Sequence, residues 1–139
     1  MSETKKPQVE VGPIDAAAEA AAALEKAAGL ESNIGTYTHT FKTPFTYNGR
    51  TYDVLTFDWK SLTGNDSLAI ENEMLTKGKT LVVPAYTGEY LTGMAARACT
   101  ERNEKGARVI GTDAIRALPL GDFQVICGRA RTFLLRAGR

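Results

Sequence analysis

The strongest local signal in the sequence is the stretch Phe45-Thr46-Tyr47-Asn48-Gly49-Arg50-Thr51-Tyr52. Asn-Gly is the dipeptide that best tolerates the two positive φ angles of a type I′ hairpin turn, and large residues alternate with smaller ones around it. The stretch therefore predicts a β-hairpin with a two-residue turn. This turn predicts three cross-strand pairs: Tyr47 with Arg50, Phe45 with Tyr52, and Thr43 with Val54.

The alternation extends along both strands away from the turn. Before the turn, large side chains occupy every second position at Tyr37, His39 and Phe41. After the turn, the phase changes from Tyr52 and Val54 to Leu55, Phe57 and Trp59. The change predicts a β-bulge or a twist that turns the end of the second strand toward another surface. Pro44 cannot donate to a ladder, so the first strand is predicted to be an edge strand or to be kinked there.

Helical periodicity follows the hairpin. Thr63-Gly64-Asn65-Asp66 is typical of a helix beginning and Gly78 of its end, with a predicted face of Leu68, Glu71, Met74 and Leu75. Leu81-Val82-Val83-Pro84 predicts a short extended connection. Thr87 begins a second helix, whose apolar stripe contains Tyr90, Leu91, Met94, Ala95, Ala98 and Cys99.

Two more helices are predicted in the last third of the chain. Thr112-Asp113 caps a short helix that carries Ile115 and Leu118, and Pro119 begins the last helix. The apolar stripe of this last helix contains Phe123, Ile126, Cys127, Ala130, Phe133 and Leu134. The predicted fold class is α+β, with an N-terminal β-hairpin followed by a small bundle of about four α-helices and preceded by an alanine-rich accessory helix.

The N-terminal segment differs in composition from the rest of the chain. Nine of the thirteen residues from Ala16 to Ala28 are alanine, Asp15 is placed to cap a helix, and Gly29 is placed to end it. We expect residues 1–35 to form a flexible arm with this helix. Residues 36–139 are expected to form the domain that contains the hairpin and the helical bundle.

Composition and charge narrow the class of protein. The chain has 139 residues, 43% of them hydrophobic, and its longest apolar run is the five residues Ala20–Leu24. We therefore expect one cytoplasmic domain without a membrane span or a secretory signal. Residues 97–139 hold nine basic and four acidic residues, a charge of +5, and residues 1–96 hold eight basic and twelve acidic residues, a charge of −4. This division favours self-association or an acidic partner over nucleic acid.

No set of residues assembles a recognisable active site. Asp53 and Asp58 are five residues apart on a strand, and Glu71 and Glu73 are two apart on a helix, so neither pair is expected to share a proton or a metal ion. With one histidine and two distant cysteines, zinc binding is not expected, and both thiols are predicted to be small buried apolar groups. We expect a protein that is not an enzyme and that needs no cofactor.

Arginines outside the stripe of the last helix are the one candidate binding group. Arg129, Arg131 and Arg136, with Phe133 beside them, are predicted to bind a partner, because guanidinium groups pair with carboxylates on an acidic surface. The alternative is the solvated face of an ordinary amphipathic helix.

The order of these features resembles a known family. Phe41-Lys-Thr-Pro-Phe-Thr-Tyr-Asn-Gly-Arg50 leads into Tyr52-Asp-Val-Leu-Thr-Phe57 and Leu62–Met74. Ala85-Tyr-Thr-Gly-Glu-Tyr-Leu-Thr-Gly-Met-Ala-Ala-Arg-Ala98 follows, and then Leu118-Pro-Leu-Gly-Asp-Phe-Gln-Val-Ile126 leads to Phe133 and Leu134. Over residues 38–135 this order resembles the tail assembly chaperones of tailed bacteriophages and prophages.

The resemblance implies a function in assembly. Proteins of that family are thought to bind the long helical tape-measure protein, keep it soluble, help recruit tail-tube subunits, and be absent from the finished virion. For this chain it implies a homo-oligomer in the host cytoplasm whose partners are the tape-measure protein and the tail-tube protein, with no membrane and no nucleic acid.

Two other classes stay open at this point. A structural tail component, such as a tube or tail-completion protein, would be retained in the virion and would use the hairpin as an intersubunit strand. A small DNA-binding regulator would use the last helix to read DNA, and the net charge of +1 argues against it.

Overall fold

A computed structural model describes residues 34–137 of the chain, and these residues form a hairpin followed by four α-helices. The strands are β1 (Thr36–Tyr47) and β2 (Arg50–Asp58), and the helices are α1 (Gly64–Thr76), α2 (Gly88–Ala98), α3 (Thr112–Arg116) and α4 (Leu120–Arg136). Short 3₁₀ turns cover Trp59–Ser61 and Pro84–Tyr86. The predicted α+β architecture is confirmed. The predicted alanine-rich helix lies outside the described residues, as does the predicted arm except for its last two residues.

The turn of the hairpin has the predicted conformation. Asn48 has a φ of 55° and Gly49 a φ of 78°, the two positive values that a type I′ turn requires. The strands pair antiparallel, and the predicted pairs Tyr47–Arg50 and Phe45–Tyr52 are confirmed.

The third predicted pair is wrong because the irregularity lies in β1, where Pro44 predicted an edge or a kink, and not in β2, where the change of phase predicted a bulge or a twist. Val54 faces Thr40 and not Thr43, since residues 41–44 of β1 bulge out opposite Asp53. Pro44 lies in this bulge, and its missing N–H explains why the ladder is interrupted there. The bulge also changes which residues of β2 face the core: Tyr52 and Leu55 are both buried, whereas Val54 is 44% exposed.

Helix α2 lies at the centre of the fold and packs against α1, α3, α4 and β2. All residues of its predicted stripe are buried, from Tyr90 to Cys99. The end of β2 brings Leu55, Phe57 and Trp59 into the same core, where the Phe57 and Trp59 rings stack at 5.3 Å. After α2, the Thr100 N–H donates to the carbonyl of Thr56 at 2.9 Å, so part of the free edge of β2 is covered.

The predicted face of α1 is partly wrong. Leu68 and Leu75 are 64% and 71% exposed, and the buried residues are Ile70 and Met74. Ile70 packs directly on Gly93 of α2, where a Cβ would lie 2.8 Å from Ile70 Cγ2. The close approach that Gly93 permits explains why α1 presents Ile70 to the core.

The last two helices match their predicted stripes. Ile115 and Leu118 are buried, as are Ile126, Cys127 and Ala130 of α4. The other three members of the α4 stripe pack against the core while partly buried: Phe123, Phe133 and Leu134. Both cysteines are free and buried, as predicted, and burial raises the pKa of each thiol to about 11.

Candidate functional site

Helix α4 carries the residues that the sequence predicted to bind a partner, but two of its arginines reach different elements. The guanidinium carbon of Arg129 lies 4.6 Å from the ring centre of Tyr37 on β1. Arg131 donates from Nε to the carbonyl of Ala85 at 2.8 Å and lies 5.6 Å from the ring centre of Tyr86. Arg129 therefore contacts the hairpin, whereas Arg131 contacts the Pro84–Tyr86 turn, and the two do not form one arginine cluster.

The other two predicted residues differ in exposure. Phe133 is partly buried and packs against the core, and Arg136 is exposed in the last turn of α4. The four predicted residues thus lie on different sides of α4. Their role in binding a partner stays a prediction.

A buried polar contact between β1 and α4 was not predicted. His39 is 6% exposed, and its Nε2 lies 2.7 Å from Asp122 Oδ1 while its Nδ1 lies 2.8 Å from the hydroxyl of Tyr37. Both ring nitrogens therefore have a hydrogen-bond partner, the Asp122 carboxylate for Nε2 and the Tyr37 phenol for Nδ1. Burial raises the pKa of Tyr37, with the charge of Arg129 opposing part of that rise. The three groups anchor the hairpin to α4.

The alternation along β1 indicates which face of the hairpin His39 occupies, but not its partner on α4. Its ring packs edge-on against Phe41 at 4.8 Å, as expected for a side chain on the aromatic face of the hairpin. Its partner Asp122 is 83 residues away, and no sequence spacing links residues so far apart.

A groove lies between the beginnings of α2 and α4. It has a volume of about 650 Å³ and is lined by Gly88, Glu89, Thr92, Arg116, Leu118, Leu120 and Phe123. Leu120 is 71% exposed, and Phe123, three residues later in α4, is partly buried. Such a groove can accept apolar side chains from another chain.

Charged side chains border this groove. Arg116 donates a hydrogen bond to Glu89, and Lys79 Nζ lies 3.7 Å from the same carboxylate. The hydrogen bond from Arg116 is the main reason why the pKa of Glu89 is lowered. Apolar side chains with charged ones beside them are usual in a protein-binding surface.

A second cavity of about 370 Å³ lies between the hairpin tip and α2, and its walls include Tyr47, Arg97 and Arg108. Arg97 is already held there by Asp66, whose Oδ1 accepts from Arg97 Nε at 2.7 Å. Asp66 also accepts from the Thr63 N–H at 2.8 Å and so caps α1. This ion pair joins α1 to α2, which is a structural role.

Within residues 34–137, no group of three or more His, Cys, Asp or Glu side chains is placed to hold a metal ion. The helices of this part of the chain are too short or too polar to cross a membrane. Comparisons of the chain with protein-family models, with curated proteins and with solved structures found no match.

Proposed function

We propose that this protein is a tail assembly chaperone of a phage or prophage, which binds and solubilises the tape-measure protein and helps to recruit tail-tube subunits. The observation that carries the proposal is the apolar groove beside Leu120 and Phe123, which lies within the residues that resemble the chaperone family. A binding role without catalysis agrees with this surface.

The groove suits a helical client. An amphipathic helix docks by placing a few apolar side chains into a groove, and each side chain that becomes fully buried contributes about 1.5–3 kcal/mol. Leu120 offers most of its surface for such contacts, since it is 71% exposed. Glu89 and Arg116 at the rim provide polar partners that fix the orientation of the client.

The setting of the proposed function is the host cytoplasm during tail morphogenesis. The chaperone acts as a homo-oligomer, leaves before the virion is complete, and binds neither nucleic acid nor membrane. Mature particles purified from an infected culture should therefore lack the chain, and its presence there would instead support a structural tail component.

Two leucines of equal exposure provide a matched test. Leu120 and Leu75 are each 71% exposed, Leu120 in the groove and Leu75 near the end of α1. We expect Leu120→Glu to abolish the soluble complex with the co-expressed tape-measure protein of the same genome, and Leu75→Glu to leave it intact. A Leu120→Glu variant that folds, by circular dichroism, and still solubilises the tape-measure protein as well as the wild type would refute this groove as the binding surface.

A further inference from the structure

The outward face of α4 carries a second pattern that its core stripe does not explain. Gly121, Val125, Gly128, Thr132 and Leu135 follow one another at spacings of four, three, four and three residues. These are the spacings of the a and d positions in a coiled-coil helix, which line the seam against a partner helix. We call these five residues the outer seam.

The outer seam faces away from the core of the domain. Ile126 and Ala130 are fully buried on the inner side of α4, whereas Val125 and Leu135 are each 44% exposed. Gly121 is exposed and Gly128 half-buried. With Val125 and Thr132 at the a positions and glycines at two of the d positions, the seam has shallow notches where larger side chains can enter.

No contact within the described chain explains the two glycines of the seam. Glycine destabilises a helix interior relative to alanine, which applies to Gly128, whereas Gly121 lies in the first turn of α4. Neither Gly121 nor Gly128 has a positive φ, and a Cβ at either position meets no atom of the described chain within 4 Å beyond its own helix turn. Gly93 shows the contrast, because there a neighbouring helix fills the space.

The residues that flank the outer seam are mainly cationic. Arg129 and Arg136 occupy e positions on one side, and Arg131 with Gln124 occupies g positions on the other. Arg129 also contacts the ring of Tyr37 and Arg131 the carbonyl of Ala85, and both guanidinium groups keep their positive charge in these contacts. Asp122 is the one acid among these flanking positions, and its carboxylate is paired with His39. Two copies of α4 in parallel would bring arginine against arginine, so charge complementarity favours a helix with acidic flanks over a second copy.

We propose that the outer seam of α4 docks one α-helix of a partner chain, a helix with bulky apolar residues at its a and d positions and Asp or Glu at its e and g positions. The large side chains of the partner enter the notches at Gly121 and Gly128, and its acids face the arginine flanks. The identification of that partner as the tape-measure protein rests on the proposed function, whereas the chemistry of the partner helix does not.

Two synthetic helices test the chemistry directly. Both are about four heptads long with leucine at every a and d position, and one has glutamate and the other lysine at e and g. By fluorescence anisotropy with the full-length protein, we expect the glutamate peptide to bind about tenfold or more tightly than the lysine peptide. Equal affinity for the two peptides would overturn the proposal.

Substitutions in the seam locate the binding. Gly128→Leu fills the notch and should weaken the glutamate peptide about tenfold or more, and Val125→Glu should weaken it by like-charge repulsion even if Gly128→Leu does not fold. The control is Asn72→Leu, which adds the same side chain to an exposed position of α1. Wild-type affinity in folded Gly128→Leu or Val125→Glu protein would overturn the proposal.

Co-expression with the tape-measure protein separates the two ideas. If the wild type solubilises that protein and both seam variants do so equally, while the peptides show no preference, the proposed function stands and the seam is refuted. If the wild type leaves the tape-measure protein insoluble but binds the glutamate peptide through the seam, the seam is supported and the proposed function fails.

Discussion

Replacing Gly93 by alanine perturbs the contact that sets the distance between α1 and α2. An added Cβ would lie 2.8 Å from Ile70 Cγ2 and 3.1 Å from Ile70 Cγ1. Ile70 is 3% exposed, so its side chain has little room to move aside. The helices must separate or the isoleucine must leave its rotamer.

The expected magnitude has two opposing parts. Overpacking of a buried site costs about 1–3 kcal/mol, whereas alanine gains about 1 kcal/mol over glycine in a helix interior. The free energy of unfolding of Gly93→Ala should therefore fall by about 0–2 kcal/mol. Gly128→Ala is the matched control in another helix, and since its new methyl group meets open space it should gain about 1 kcal/mol.

Urea denaturation followed by circular dichroism measures both variants. We expect them to differ by about 1–3 kcal/mol, which corresponds to at least about 4 °C in Tm for a domain of this size. Truncation of Ile70 to alanine should cost less in the Gly93→Ala background than in the wild type, because the clash disappears with the side chain. Equal stabilisation by Gly93→Ala and Gly128→Ala would refute the close contact of the two helices.

Three further expectations concern polar and thiol groups. His39→Ala should lower the free energy of unfolding in urea denaturation by about 1–3 kcal/mol, because it leaves the Asp122 carboxylate without its partner. The same substitution should cost less in an Asp122→Asn background. Equal losses in the two backgrounds would contradict the contact. The hydrogen bond from the Thr63 N–H has the largest effect on the pKa of Asp66 and that from Arg97 the next largest, and both lower it from 3.8. The ionised Asp66 carboxylate therefore stabilises the fold above pH 3.8, and this stabilisation is lost as the pH falls through the lowered pKa. At neutral pH the free energy of unfolding of Asp66→Asn should be about 1 kcal/mol below that of the wild type, and this difference should decrease as the pH is lowered. A difference that stays constant with pH would contradict the lowered pKa. Burial raises the pKa of Cys99 and Cys127 from 9.0 to about 11, so the free energy of unfolding should fall between those pH values, and fall less in Cys127→Ala; an identical fall in that variant would contradict the shift.

Local signals in the sequence were enough to predict the hairpin turn and the core stripe of α2. Asn48 and Gly49 are residues that tolerate the backbone angles of the turn, and the apolar spacing from Tyr90 to Cys99 allows one buried face. Such features depend mainly on neighbouring residues, and the tertiary contacts of this fold agree with them.

Features that depend on distant contacts were missed. Helix α1 has two possible apolar faces, and Ile70 rather than Leu68 is buried because Gly93 leaves room for it. Pro44 indicated the kink in β1, but the change of phase in β2 predicted a bulge or a twist in β2, whereas the extra residues lie in β1.

The surroundings of the residues predicted to bind a partner depend on contacts between elements. The sequence predicted a partner-binding group on the last helix, but Arg129 packs on Tyr37 and Arg131 packs on the Pro84–Tyr86 turn. The groove at Leu120 arises where α2 meets the connection between α3 and α4, and no periodicity within one helix could indicate it.

The central proposal is that this chain keeps a tape-measure protein soluble. The most direct test is light scattering behind a sizing column, run on the purified chain alone and on the chain co-expressed with the tape-measure protein of the same genome. We expect the chain alone to be an oligomer, and the co-expressed proteins to elute together as a soluble complex with a mass above that of either component. A monomeric chain that leaves the tape-measure protein in the insoluble fraction would contradict the chaperone function.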